Sequence, residues 1–547
     1  MKKNQIIFFL FLAMLVAGQC FFWVGCAKII PPTGGPVDTI PPQLDSARST
    51  ENYQTNFKKQ TIVLTFEEYI ELRDVFTQVI ISPPTAKRPE VTRDKYKRVE
   101  IKFDADEVLR ENATYTINFG DAIRDYTAGN AAPFSFVFST GPYLDSLEVH
   151  GTIRDAQTNK PVPDVLLMLY DNLADTAVRK ERPFYFARTD KSGHFLIQNV
   201  KSDTFRVLAL EDLSSDYMFN QESERIGFPE DFLLLTDSSD ADIDIRFFQE
   251  RRAFRLLESR HTRYGLTKLI FTGPPDNVDL QIDQDFLNYY SETEGDTMRL
   301  WYHLDTALSW NILLPTDTLP DTITVPAGKR AEFLQNTKPV PVNKRFPTNH
   351  NPTEDFRVLY QQPLQSLDTS LIEVYEDTSR TRVYLDWQID SIDKKKLVAR
   401  YPWKEFVNYD FLLLPGAVTG FYGTPSDTLQ ATLRSARKKD FGSLNLKITA
   451  LDSTLAYVIE LFTSSETLEK IRVSGQTEWE KKYPSLKPGV YEVRIIEDLN
   501  ANGRWDPGNY DAQRQPERIF LRPLENLRAN WEVSADFPVE FDSKQVN

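Results

Sequence analysis

The chain has 547 residues, two cysteines and a formal charge of −15 at pH 7. Acidity on that scale argues against nucleic acid and anionic lipid surfaces as partners, and five histidines scattered singly leave no ordinary zinc site. At about 150 residues per domain the length predicts three to five domains. The 12% aromatic content and 33 prolines favour a string of β-domains over disorder or long helices.

At the N-terminus Lys2 and Lys3 precede an apolar stretch from Ile6 to Val24, and Gly25 stands before Cys26. A basic head, an apolar body and a small residue before the cut read as an export signal. A cysteine directly after the cut resembles the lipobox of bacterial lipoproteins, in which the thiol is diacylated and becomes the first mature residue. Trp23 and Val24 depart from that pattern, whereas Gly25 fits it. The resemblance implies a signal peptide over 1–25, lipidation at Cys26 and anchoring in the outer membrane. Acyl chains anchor at about 0.8 kcal/mol per buried methylene. The first acid after Cys26 is Asp38, which favours the periplasmic face over the cell surface. The alternatives are a cut before Cys20, an uncleaved membrane anchor of roughly 20 apolar residues, or simple secretion. With the signal removed, no pair of cysteines remains for a disulfide.

Residues 26–42 carry too much proline and glycine for helix or central strand and read as an extended tether. The run Pro31-Pro32-Thr33-Gly34-Gly35-Pro36 resembles the segment after the acylated cysteine in envelope lipoproteins of the Bacteroidota. Residues 43–141 then read as a sandwich, with strands at Ile62 to Phe66, Val99 to Phe103, Thr114 to Phe119 and Phe134 to Thr140. The order of Phe66-Glu67-Glu68, Asn112-Ala113-Thr114-Tyr115-Thr116, Asp125 with Gly129-Asn130, and the closing Phe136 to Gly141 is similar to the bacterial Ig-like domain of S-layer and cell-surface proteins.

Residues 145–248 run Gly151-Thr152-Ile153-Arg154-Asp155, Pro161-Val162, then a hairpin turn at Thr189-Asp190-Lys191-Ser192-Gly193-His194-Phe195. That pattern resembles the prealbumin-like sandwich of carboxypeptidase regulatory and adhesin stalk domains, which implies a spacer or binding support. Residues 252–330 alternate apolar and polar positions and are expected to form a central β-sandwich, followed by a linker over 331–352. The second half repeats the first. Phe66, Asp74 and Tyr115 align with Tyr360, Asp368 and Tyr409 at an offset of 294, and Asp212-Leu213 aligns with Asp498-Leu499 at 286. Glu224-Arg225-Ile226 and Glu517-Arg518-Ile519 follow in the same order. The expectation is an all-β chain of serial Ig-like and prealbumin-like sandwiches with an internal duplication, the second pair at 353–436 and 440–537.

The sharpest local motif is Asp498, Asn500, Asn502, Gly503, Arg504 and Asp506, with oxygen side chains at positions 1, 3, 5 and 9 of a calcium loop and glycine at 6. The Arg504 carbonyl stands at position 7. Asn509 takes position 12 in place of the bidentate Glu of an EF-hand, and Asp511 lies two further on. The alternative is an Asx-rich loop that caps its own backbone. The first copy, Asp212 to Tyr217, lacks the Asn-x-Asn-Gly core and is a poor calcium candidate. The paired carboxylates Glu67-Glu68, Glu211-Asp212 and Glu497-Asp498 point to opposite faces of a strand and read as solvated charge. Tyr289-Tyr290 and Phe421-Tyr422 are either sugar platforms or core. Ser192-Gly193-His194 belongs to a turn, and neither a phosphate loop nor a nucleophile elbow is present.

The reading is a non-catalytic, membrane-anchored envelope lipoprotein. It acts as a scaffold or interaction component beside an outer-membrane barrel or assembly complex, with Ca2+ at 498–509 as the one cofactor considered. The alternative is a cell-surface adhesin or glycan-binding protein.

Overall fold

Strand after strand is short, and all but two of the pairings between the described strands are antiparallel. The computed structural model describes residues 38–541 except 237–239, 264, 276–277, 279, 284–287, 304–308, 315–320, 328–336 and 378–379. The expected signal 1–25, Cys26, most of the 26–42 tether and part of the 331–352 linker lie outside the described residues. Two units are separable, one ending at Leu144 and one beginning at Asp145.

In the first unit Ile62–Thr65, Arg98–Lys102 and Glu90–Asp94 form one sheet, and Ile80–Ser82, Thr114–Asn118 and Ser135–Ser139 form a second. Ile70–Leu72 pairs with Ile123–Asp125 beside them. Alternation puts Ile62, Leu64, Val99, Ile101, Ile117 and Phe136 inside, all fully buried. Each such side chain contributes about 1.5–3 kcal/mol. Tyr115 stacks on Phe138 at 5.1 Å and 3°. Its hydroxyl accepts the Arg110 amide, and Thr140 ties the Arg110 carbonyl to the Ala113 amide.

The second unit contains the same arrangement again. Phe356–Leu359, Lys396–Arg400 and Asp386–Ile389 repeat the first sheet. Ile372–Glu376, Asn408–Leu413 and Leu429–Arg434 repeat the second, with Thr381–Val383 added at its edge. Leu364–Leu367 pairs with Val418–Gly420. The duplication extends to single hydrogen bonds. Tyr409 accepts the Lys404 amide, and Ser435 ties the Lys404 carbonyl to the Val407 amide.

The prealbumin-like pair is duplicated strand for strand. Leu147–Asp155 lies between antiparallel His194–Val200 and parallel Ala241–Gln249, as Gly442–Thr449 lies between Trp479–Leu486 and Glu532–Pro538. Leu166–Tyr170 lies between Tyr185–Arg188 and Thr204–Leu210, as Ala456–Phe462 lies between Thr467–Ser474 and Glu492–Asp498. The first copy adds Leu233–Leu234 beside Thr204–Leu210, and the copies also differ at a seam. Arg225–Gly227 pairs with Ala241–Gln249, so the first copy closes into one eight-stranded sheet. A Cβ on Gly227 would lie 2.7 Å from the Arg246 carbonyl, which glycine alone allows.

Between the pairs, Leu256–Arg263, Leu266–Phe271, Thr297–His303 and Asn288–Glu294 face Gln281–Ile282, Trp310–Leu314 and Asp321–Val325 over a core of Leu269, Leu300, Tyr302, Trp310, Ile312 and Val325. Among the described residues no helix is long and apolar enough to cross a membrane.

Candidate functional site

Strand Glu492–Asp498 delivers Asp498 to the head of the Asx-rich loop. Asp498 is 2% exposed, and its two oxygens accept the amides of Asn502 and Gly503 at 3.0 and 2.6 Å. Asn500 and Asn502 cap the backbone two residues on through their oxygens. Their amide nitrogens donate to Asp506, whose other oxygen accepts Arg251 at 2.6 Å. Beneath lies Glu517, 4% exposed, accepting the Leu499 and Asp506 amides at 2.9 and 2.8 Å. Burial pushes the Glu517 carboxyl up to about 7, against the two amide donors and with help from the Asp506 and Asp498 charges.

The candidate ligands therefore divide. Asp498, Asn500, Asn502 and Asp506 converge, with the Arg504 guanidinium 3.9 Å from Asp506. Asn509 turns away, capping a separate turn through the Ala512 amide and the Arg514 bridge. Asp511 pairs with Arg179 at 2.9 Å. The donor types suit calcium, but protein donors occupy the oxygens in this arrangement. An ion would require both asparagine amides to turn over and Arg251 to withdraw.

The first copy uses the same framework without the asparagines. Asp212 accepts the amides of Asp216 and Tyr217, and Glu224 accepts those of Leu213, Asn220 and Gln221. Glu497-Asp498 corrects the expectation of solvated charge. Both are buried, Glu497 in a two-bond pair with Arg518 and Asp498 as the loop cap. They do point to opposite faces, as strand alternation requires.

The loop presses its far half onto the 145–248 sandwich. Tyr510 is 1% exposed, with its ring edge-on to Phe228 at 5.3 Å and to Phe219 at 6.2 Å. Its hydroxyl accepts from Arg206 at 3.1 Å and donates to the Asp175 carbonyl. Its amide donates to Glu250, whose carboxyl burial raises above the ordinary range. Gln515 bonds the Phe228 carbonyl at 2.8 Å. Sequence reasoning missed Tyr510, because a lone aromatic in a polar loop has no periodicity to mark it.

A second cluster lies in the first unit. Among the described residues, Asp38, Glu68 and Asp125 alone form a group of three carboxylates whose oxygens lie within 4.8 Å of one another. Asp125 caps the Thr127 and Ala128 amides. Partial burial and then the Asp125 and Asp38 charges raise the Glu68 carboxyl. Glu68 is thus drawn inward, and only Glu67 fits the expectation of solvated charge.

Of the aromatic pairs, Tyr289 is 45% exposed while Tyr422 is buried, its hydroxyl donating to the Gly265 carbonyl at 2.6 Å. Tyr290 bonds the Ile392 carbonyl. These residues are chiefly contacts between modules rather than a platform. His194 faces Thr152, and Asp190 caps the Ser192 and His194 amides, which is a turn.

Residues 38–140 match the family model for the Bacterial Ig-like domain. The match covers the first sandwich, with the two sheets and the Tyr115 corner described above. No curated protein matches the chain. Among solved structures, the Bacillus anthracis TIE protein aligns at 8% identity over 93% of this chain and 76% of its own, with a TM-score of 0.16. The major pilin subunit BcpA of Bacillus cereus aligns at 9% over 73% and 100%, TM-score 0.13. Bacteroides ovatus SGBP-B of a mixed-linkage glucan utilization locus, solved with a heptasaccharide, aligns at 8% over 63% and 88%, TM-score 0.17. Overlays this loose carry no conclusion about partners.

Proposed function

We propose that this chain is a non-catalytic envelope lipoprotein, held in the outer membrane by acylated Cys26, that presents a preassembled surface to a protein partner. One observation carries the reading. The four sandwiches from Asp145 onward close on themselves: Arg255 reaches Glu222, Tyr422 reaches Gly265, Ser485 reaches Asn351, and Tyr510 reaches back to Arg206. A body fixed at every junction suits a scaffold, since binding then costs little ordering of its modules. The Pro-rich segment after Cys26 supports the tether, and the Ig-like match at 38–140 supports an envelope setting. An outer-membrane barrel or assembly complex is the partner class this reading names.

The experiment is purification of the tagged full chain from detergent-solubilised membranes, beside Cys26→Ser, with metabolic labelling by an alkyne fatty acid. Label and a barrel protein should come with the wild type, and the label should vanish in Cys26→Ser. An unlabelled wild type, or an envelope eluate without a membrane-protein partner, overturns the reading. Calcium at 498–509 is a separate part of the proposal. A rise in melting temperature at millimolar Ca2+ that disappears in Asp498→Ala supports it, and no shift removes it.

A further inference from the structure

The two Ig-like copies build one end of the sandwich from the same backbone bonds. In the second copy the Leu364 amide donates to the Lys394 carbonyl at 2.8 Å, the Phe421 amide to Pro363 at 2.9 Å and the Tyr360 amide to Lys395 at 2.9 Å. In the first copy the Ile70 amide donates to the Tyr96 carbonyl at 2.7 Å, the Tyr126 amide to Tyr69 at 2.9 Å and the Phe66 amide to Lys97 at 2.8 Å. Bond for bond, Tyr96 takes the place of Lys394, Lys97 that of Lys395, Tyr126 that of Phe421 and Tyr69 that of Pro363.

In the second copy this end is covered by the central sandwich. Phe421 and Tyr422 pack with Tyr290, Trp301 and Leu266, and the Tyr422 hydroxyl donates to the Gly265 carbonyl at 2.6 Å. Edge strand Asn288–Glu294 supplies two further contacts. The Lys394 ammonium lies 5.3 Å from the centre of the Tyr290 ring, and Lys395 meets Glu292 at 2.9 Å. Tyr290 and Glu292 are two residues apart, so alternation sends the ring and the carboxylate out of one face of the strand.

The first copy holds the same end exposed and makes it more aromatic. Tyr69, Tyr96 and Tyr126 are 57%, 60% and 59% exposed. The Tyr69 and Tyr96 rings stand edge-on at 6.0 Å, with Lys97 over the first and Arg93 over the second, each at 5.2 Å. Tyrosine and arginine are the residue types that anchor protein interfaces, because a ring buries a large area at little cost in side-chain freedom. Lys97 keeps the position from which Lys395 meets a carboxylate.

We propose that this end of the first Ig-like module, formed by Tyr69, Tyr96, Lys97 and Tyr126, docks the edge strand of a β-sheet partner that carries a ring and a carboxylate two residues apart. Asn288–Glu294 is the pattern for that strand. Lys97 meets the carboxylate, and Tyr96 meets the ring where the second copy has an ammonium. The inference rests on the reading of the chain as a scaffold for a protein partner and names the surface that the partner takes.

The test places photoreactive benzoylphenylalanine at position 96 of the full chain in cells, with position 108 as control. Val108 is exposed and follows the far end of strand Arg98–Lys102. Irradiation and detergent solubilisation should give, from position 96, an adduct with the protein that co-purifies with the wild type. The adduct should map to an edge strand with a ring and an acid two residues apart. Lys97→Glu should lower recovery of that partner about tenfold or more, with an unchanged melting temperature, and reversing the mapped acid to lysine should restore it. Adducts only within the chain or between two copies overturn the surface, as do adducts outside a β-strand, equal adducts from position 108, or undiminished recovery by Lys97→Glu. In each of those cases a partner still recovered by the wild type leaves the scaffold reading standing. A wild type that recovers no partner overturns that reading and the docking surface with it.

Discussion

Tyr510 shows how one side chain can join parts of the chain 304 residues apart, since its hydroxyl meets Arg206 at that separation. The ring fills a socket edged by Phe219 and Phe228, and the Arg206 cation lies 5.9 Å from its centre. Truncating it to Tyr510→Ala removes an aromatic from a packed site, at about 3–5 kcal/mol. Tyr510→Phe keeps the ring and loses the hydroxyl's bonds to Arg206 and to the Asp175 carbonyl, roughly 1.5–3 kcal/mol. Amide exchange over 505–515 should accelerate strongly in the alanine variant and mildly in the phenylalanine variant, with the first unit unchanged. Equal protection in all three proteins would mean the loop is held by Arg179–Asp511, Arg251–Asp506 and Gln515 without the ring.

At the scale of elements, both prealbumin-like copies build the same loop from an Asp and a Glu that accept backbone amides. Asp212 with Glu224 and Asp498 with Glu517 were visible in sequence as an ordered repeat. The bonds that close each loop were not, because Glu224 accepts the Leu213 amide, and Glu517 those of Leu499 and Asp506, from residues 11 to 18 apart. Glu517 gives a pH signature. Its folded carboxyl titrates near 7, above the ordinary 4.5, so the folded state holds the proton more tightly. This group's contribution therefore falls as pH rises from 4.5 to 7 and is flat above. Glu517→Gln cannot ionise, so the melting temperature of the wild type should fall relative to that of the variant over that interval. A gap constant with pH would contradict the buried, proton-holding carboxyl. The Ig-like copies repeat in the same way, Tyr115 with Thr140 matching Tyr409 with Ser435. The tyrosines were legible in the sequence, and their hydroxyl partners emerged only with the fold.

For the molecule as a whole, the all-β character, the serial sandwiches and the duplication were legible from residues alone. Side chains alternate with period two along a strand, and a copied module copies its alternation. Those signals are local, or they recur at a fixed offset, so they survive without coordinates. The convergence of Asp38, Glu68 and Asp125 and the burial of Glu497 and Asp498 are of another kind. Each depends on which segments meet after folding. Asp498, Asn500, Asn502 and Asp506 illustrate the division. Their spacing marked a tight Asx-rich loop, but tertiary contacts decided that Arg251 meets Asp506 and that Tyr510 is carried into a socket on another module. Sequence determines the strands because backbone pairing and alternation are short-range. Tertiary structure alone decides the sites, because their charge, burial and approach arise from residues that are distant in sequence and meet only in the fold.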